Sequence, residues 1–443
     1  MSHAQAIIEP GQDLHSAMAD ARKRSDALFK IVRPEALYDR PIAERHRIIF
    51  YIGHLEAFDW NLICRGAFDI PAFHPSFDKL FAFGIDPVGG GLPDDSPSDW
   101  PRVEEVMQFN QTIRARVDHC MDDILKNASR TPQSESAKLF HVAVEHRLMH
   151  VETLAYMLHQ LPLDRKIVQP ADPPCNSPRL VPRMVEIPAG TATLGLEPSL
   201  SSPFGWDNEF QAHTVEVPAF AIDAHNVTNQ QFAEFIRAGG YDDRTLWTDA
   251  DWAWKTNSKI DKPLFWNCRG AEWYYRTMFA EIPLPPNWPV YVSQAEASAY
   301  ARWAGKSLPT EVQWHRASCA APDGKEREFP WGHAAPDSRC GNFDFQRWNP
   351  TPVGAHPEGN SSFGVADLIG NGWEWTSTVF QRFPGFQAFP FYPGYSANFF
   401  DGKHFVMKGG SSLTGARLLR RSFRNWFQPH YPYAYAAFRG VKN

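Results

Sequence analysis

The stretch QPADPPCNSPRLVPR, residues 169–183, holds five prolines and shows no apolar period. Proline has no amide hydrogen and pushes the residue before it out of the helical region. Neither a helix nor a central strand runs through such a segment, and the two sides of it follow different rules. Before it, apolar residues recur at helical spacing near 13–31, 41–66, 100–127 and 134–161. In SPSDWPRVEEV, Ser98 or Asp99 reads as a helix cap, with Pro101 in the first turn. After it, from MVEIPAGTATLGL at 184, short β-type runs alternate with Gly, Pro, Asn and Asp turns, and only 228–239 and 293–305 read as helices. The expected architecture is multidomain, α and α+β: a four-helix bundle over 1–168, a linker over 169–183 and an α+β domain over 184–443.

Composition narrows the partners. The net charge of −6 does not favour nucleic acid. No apolar run approaches the ~20 residues of a membrane span. The N-terminus carries no apolar signal core, and none of the six cysteines forms a CxxC pair. These features predict a cytoplasmic, reduced protein that works on small molecules.

Chemistry first shows in EHRLMHVETLAYMLHQL, residues 145–161. A helix turns about 100° per residue, which stacks His146 and His150 one turn apart. Leu139, Val142, Leu154, Met157 and Leu161 project to the same face, so the pair points where a core belongs. Core histidines bonded to neighbours are one reading. Metal ligands are the other, if a third ligand stands opposite. In HRIIFYIGHLEAFDWNLI, His54 aligns with Phe50, Phe58 and Asn61, whereas His46 is expected to be exposed in the first turn. Three neutral imidazoles leave coordination positions open and suit Fe, Zn, Ni or Cu.

Longer stretches carry a family resemblance. Residues 1–168 resemble a DinB-type four-helix bundle. MVEIPAGTATLGL, DNEFQAHTVEVPAFAIDAHNVTNQQFAEFI, PVYVSQAEASAYARWAGKSLPTEVQWHRAS, GNGWEWTS, VMKGGSS and FRNWF…YAAFRGV resemble the formylglycine-generating-enzyme, or sulfatase-modifying-factor, domain, a C-type-lectin-like fold. Their fusion in this order resembles the EgtB family of ergothioneine synthases, whose relatives include ovothiol and selenoneine synthases. The resemblance implies a non-haem Fe(II) enzyme that uses O2 to join sulfur or selenium to the imidazole C2 of hercynine. It implies His54, His146 and His150 as iron ligands. It places position 149, Asn425, Trp426 and Phe427 in substrate pockets, and makes Tyr392 or Tyr395 the proton donor. Trp373 and Trp375 read as core residues of the lectin-like fold. Such folds often hold a structural Ca2+, although no ligand set for one is legible.

Three positions depart from the family pattern. Met149 stands where EgtB enzymes usually have Gln, and Phe427 where the mycobacterial type has Asp. FHPSFDKLFAFGIDP carries Lys79 where that type has an arginine pair. A γ-glutamylcysteine donor, with two carboxylates, is poorly served by these changes. Cysteine or a neutral selenosugar fits better. The loop GIDPVGGGLPDDSPSDWP, 84–101, reads as a sugar site or as a solvated loop. The expectation is a selenoneine-synthase-like enzyme with a selenosugar donor, the alternative an ergothioneine synthase using cysteine or γ-glutamylcysteine. A DinB-type Zn or Ni thiol transferase would act without O2, and a pure binding module would hold no stoichiometric metal. No cysteine follows Cys340, so the cysteine pair of formylglycine-generating enzymes is missing and the domain is expected to serve as a scaffold.

Overall fold

A computed structural model describes residues 10–83, 92–127, 135–175, 180–199 and 203–443. The chain divides into two compact units, Met1–Gln169 with Pro198–Phe204, and Pro170–Glu197 with Gly205–Asn443. Among the described residues, no helix is long and apolar enough to cross a membrane.

The first unit is helical: α1 (Pro10–Lys30), α2 (Ile48–Asp59), α3 (Gly66–Phe68), α4 (Pro75–Phe83), α5 (Val103–Asn127) and α6 (Glu135–His159). A π-helical turn, Trp60–Arg65, joins α2 to α3. On α5, Val106, Phe109, Ile113, Val117 and Cys120 recur every three or four residues, and each is at most 4% exposed. The helix α2 is apolar on all sides, as a central helix must be, and it packs against α4, α5 and α6. Two helix starts differ from expectation. The second begins at Ile48, so His46 precedes it and lies half-buried, 4.2 Å ring to ring from Phe50. Ser96 and Asp99 close a capping box around a 3-10 turn, Pro97–Asp99, and α5 starts only at Val103. Pro101 therefore lies ahead of the helix, which starts after the bend.

In the second unit, β1 (Met184–Ile187), β4 (Phe220–Asp223) and β12 (Val441–Lys442) form one antiparallel sheet, with β4 central. A second sheet runs β10 (Asn425–Phe427), β9 (Phe405–Gly410), β8 (Gly372–Val379), β11 (Ala436–Ala437). Two smaller sheets pair β2 (Gly190–Leu194) with β3 (His213–Val217), and β5 (Trp266–Arg269) with β6 (Glu272–Arg276) and β7 (Glu281–Pro283). Val185, Ile187, Phe220, Ile222, Trp314, Leu368 and Val441 share one core. Trp373 and Trp375 are buried in β8, and the Trp375 indole donates to the Val292 carbonyl at 2.9 Å.

Four longer helices occur in this unit, not two: α7 (Asn229–Arg237), α8 (Asp249–Asn257), α9 (Gln294–Trp303) and α10 (Glu311–Cys319). Thr228–Gln231, Ser293–Glu296 and Thr310–Gln313 form capping boxes at α7, α9 and α10, and Thr248 caps α8. The same Ser/Thr-x-x-Glu/Gln signal was thus available for the overlooked α10. The proline-rich stretch is also not a free linker. The Asp172 carboxylate accepts from the Trp348 and Asn349 amides at 3.0 and 2.9 Å, which ties it to the second unit.

Candidate functional site

His54 lies on α2, and His146 and His150 lie one turn apart on α6. Their ligand atoms all fall within 4.8 Å of one another. Among the described residues, this is the one such grouping of three or more His, Cys, Asp or Glu side chains. Two nitrogens on one ion stand at most about 4.2 Å apart, twice a metal–nitrogen bond of ~2.1 Å. The three rings are therefore a small side-chain adjustment from closing on a metal.

Two contacts orient the set. His54 Nδ1 lies 2.7 Å from the Phe81 carbonyl of α4. A carbonyl only accepts, so Nδ1 carries the proton and the Nε2 lone pair is free. Gly53 makes this approach possible, because a Cβ there would stand 2.4 Å from the Phe81 ring. Phe58 stacks on His146 at 3.5 Å and 10°. Burial holds His54 down at about 4 and pushes His146 and His150 well below the ordinary histidine range, with neighbouring imidazoles and Arg147 adding to it. The three rings are neutral near pH 7, the form that binds metal.

A buried ion network locks the two histidine-bearing helices together. Arg147, next to His146, donates to Glu56 at 2.9 Å and to Asp59 at 2.6 Å, both on α2. Arg114 of α5 also donates to Glu56, at 2.7 Å, and forks onto Asp26 of α1. Burial pushes the Glu56 carboxyl up, but Arg147 and Arg114 outweigh it and hold Glu56 below the usual range. At Asp59 burial prevails and raises the carboxyl despite Arg147. Sequence reasoning passed over these residues. Their signal was a pair of acids inside an apolar helix, HLEAFDW, opposite an arginine between two apolar-face histidines.

The predicted substrate residues fall into separate groups. Met149 is half-buried on α6, beside His150. In the second unit Tyr392, Tyr395 and Trp426 cluster, with ring separations of 5.7 Å between the tyrosines and 5.5 Å from Tyr395 to Trp426. Trp426 stacks on Phe380 at 4.2 Å, and Tyr395 stacks on Trp206 at 3.9 Å. Asn425, Trp426 and Phe427 were expected to line a substrate pocket. They form the edge strand β10, with Trp426 opposite Val406 of β9. Phe427 turns instead to Tyr431, stacked at 4.7 Å. The sequence also passed over Trp206 and Asp207. Residues 84–91 of the loop 84–101 lie outside the described residues.

Residues 170–443 match the family described as sulfatase-modifying factor enzyme 1-like domain. The chain is 36% identical to hercynine oxygenase of Mycolicibacterium thermoresistibile, over 80% of this chain and 77% of that protein. It is 37% identical to hercynine oxygenase of Mycolicibacterium smegmatis, over 72% of this chain and 73% of that protein. It is 28% identical to ergothioneine biosynthesis protein 1 of Neurospora crassa, over 92% of this chain but 55% of that longer protein. The chain belongs to the hercynine oxygenase family and carries a sulfatase-modifying factor enzyme 1-like domain over residues 170–443.

Proposed function

We propose that this chain is an O2-dependent enzyme that bonds selenium or sulfur to the imidazole C2 of hercynine, with Fe(II) held by His54, His146 and His150. The observation that carries the reading is the convergence of three neutral imidazoles within 4.8 Å, in a chain similar to hercynine oxygenases. The donor set fits ferrous iron, because three imidazoles leave positions open for exogenous ligands. When bound, the iron supplies the redox chemistry that couples O2 to bond formation at the imidazole carbon.

The chain's own residues then have distinct tasks. The half-buried Trp426 ring, stacked on Phe380 through one face, offers π surface to a trimethylammonium group, at roughly 0.5–2 kcal/mol for a favourable face. Tyr392 is the proton donor. Burial, reinforced by the Asp207 carboxylate, pushes its phenol up, so the hydroxyl keeps its proton at neutral pH.

A neutral selenosugar is the favoured donor. Phe427 is engaged with Tyr431, Lys79 is exposed, and residues 69–83 hold no arginine to fork a second carboxylate. The names of the relatives favour a second reading, a thiol donor in ergothioneine synthesis. The test is anaerobic Fe(II) loading, then O2 with hercynine and, in parallel, a selenosugar, cysteine or γ-glutamylcysteine, read by mass spectrometry. A selenium adduct alone supports the first reading, and a sulfoxide from a thiol supports the second. No adduct from any donor, with no iron bound, overturns both.

A further inference from the structure

Asp207 is 1% exposed and lies in the second unit, next to the turn that carries both tyrosines. Its Oδ1 accepts from the Ser396 hydroxyl at 2.5 Å. Ser396 directly follows Tyr395. Trp206, its chain neighbour, stacks on Tyr395 at 3.9 Å and 24°, and packs near Phe389 and Tyr392 at 6.4 and 6.5 Å. The pair Trp206–Asp207 thus touches the segment 389–396 at its start, its middle and its end. The second carboxylate oxygen, Oδ2, is buried and makes no close hydrogen bond, while the backbone amides of Asn208 and Phe389 draw on the carboxylate from nearby, the latter at the start of the same segment.

We infer that Asp207 is a positioning residue that anchors the Tyr392–Tyr395 turn through Ser396 and, by its charge, keeps Tyr392 protonated as a proton donor. This rests on the reading of Tyr392 given above. Burial pushes Asp207 itself up to about 6, against the pull of Ser396 and the amides of Asn208 and Phe389, so near pH 7 it is mainly the anion. A negative charge beside a phenol disfavours phenolate. Ser396 supplies the tether and the carboxylate the field, so removing the two separately distinguishes them.

The experiment uses the full chain and two readouts. The first needs no metal: hydrogen exchange of amides 389–396 in Asp207→Ala, Asp207→Asn and Ser396→Ala. A hydrogen bond to a charged group predicts exchange faster by about tenfold in the alanine variants, confined to that segment, with Asp207→Asn close to the parent. The second is product partition in the iron-loaded enzyme. Asp207→Ala should divert turnover toward oxidation of the donor in the same direction expected of Tyr392→Phe, and the double variant should add nothing further. Unchanged exchange in Asp207→Ala overturns the anchor. Changed exchange with an unchanged partition, where Tyr392→Phe does shift it, overturns action through Tyr392. If Tyr392→Phe leaves the partition unmoved, the role of Tyr392 falls, while the exchange data still decide the anchor.

Discussion

Gly53→Ala probes a contact on which the histidine set depends. A Cβ at residue 53 lies 2.4 Å from Phe81 Cδ1 and 2.5 Å from Cε1 and Cγ. Non-bonded carbons pack at about 3.5–4.0 Å, so ring or helix must retreat by about 1 Å. Phe81 is 0% exposed, so nothing soft stands behind it. Overpacking of this kind costs about 1–3 kcal/mol. The same displacement draws the Phe81 carbonyl from His54 Nδ1, 2.7 Å away, at about 0.5–1.5 kcal/mol. Alanine returns about 1 kcal/mol of helix propensity, which leaves a net loss of about 0.5–3.5 kcal/mol. For a unit of this size the thermal midpoint should fall by about 1–14 °C. A ligand histidine that loses its orienting partner typically loses about 10–100-fold in metal affinity. Calorimetric unfolding of the metal-free chain, and anaerobic Fe(II) titration, measure the two effects. Phe81→Leu in the same chain should restore part of the stability by vacating the clash. Parent-like stability and iron affinity in Gly53→Ala would refute the idea that this contact positions His54.

Arg147→Met should cost about 3–5 kcal/mol in urea unfolding at pH 7, because it removes the buried partner of Asp59 and leaves Glu56 to Arg114 alone; a loss under about 1 kcal/mol contradicts the network. Tyr392→Phe should divert turnover from bond formation to chalcogen oxidation, and an unchanged product ratio removes Tyr392 from that role. Trp426→Leu should raise KM for hercynine by about 2- to 30-fold, the span of one cation–π contact, with a smaller effect on kcat; equal KM values would place the cation elsewhere. Burial pushes the Asp367 carboxyl up to about 6, so the folded state binds a proton more tightly than the unfolded chain, and stability is lost as pH rises from about 4 to 6. Asp367→Asn, which keeps a side chain suited to the φ of 53° there, should gain up to about 2–3 kcal/mol above pH 6 and nothing below pH 4. A pH-independent difference would refute that assignment.

Much of this was legible in the one-dimensional pattern. Apolar spacing on α5 marked a bundle helix, and the prolines of 169–183 marked the change of rules. Histidines on an apolar face marked His146 and His150, because a helix puts i and i+4 together whatever surrounds it. Local reading failed where neighbours decide. The segment 425–427 looks like loop because three residues carry no period, and it becomes strand only by pairing with β9. The helix α8, TDADWAWKTN, has no clean apolar stripe, and its Thr248 cap was too slight a cue. Arg147 carried no reading in the sequence, because the Glu56 it pairs with lies 91 residues away in the chain.

The sequence by itself determined the helical and α+β halves, the point where one gives way to the other, and the three histidines. Periodicity, proline and residue chemistry are local properties, and they survive without coordinates. Tertiary structure alone decided that His54 closes on His146 and His150 with its Nδ1 committed to Phe81. It alone decided that Arg147, Glu56 and Asp59 clamp α2 to α6, and that Asp207 reaches Ser396 across 189 residues. Each of these joins segments distant in the chain, and only packing brings such groups within bonding distance while excluding the water that would otherwise satisfy them.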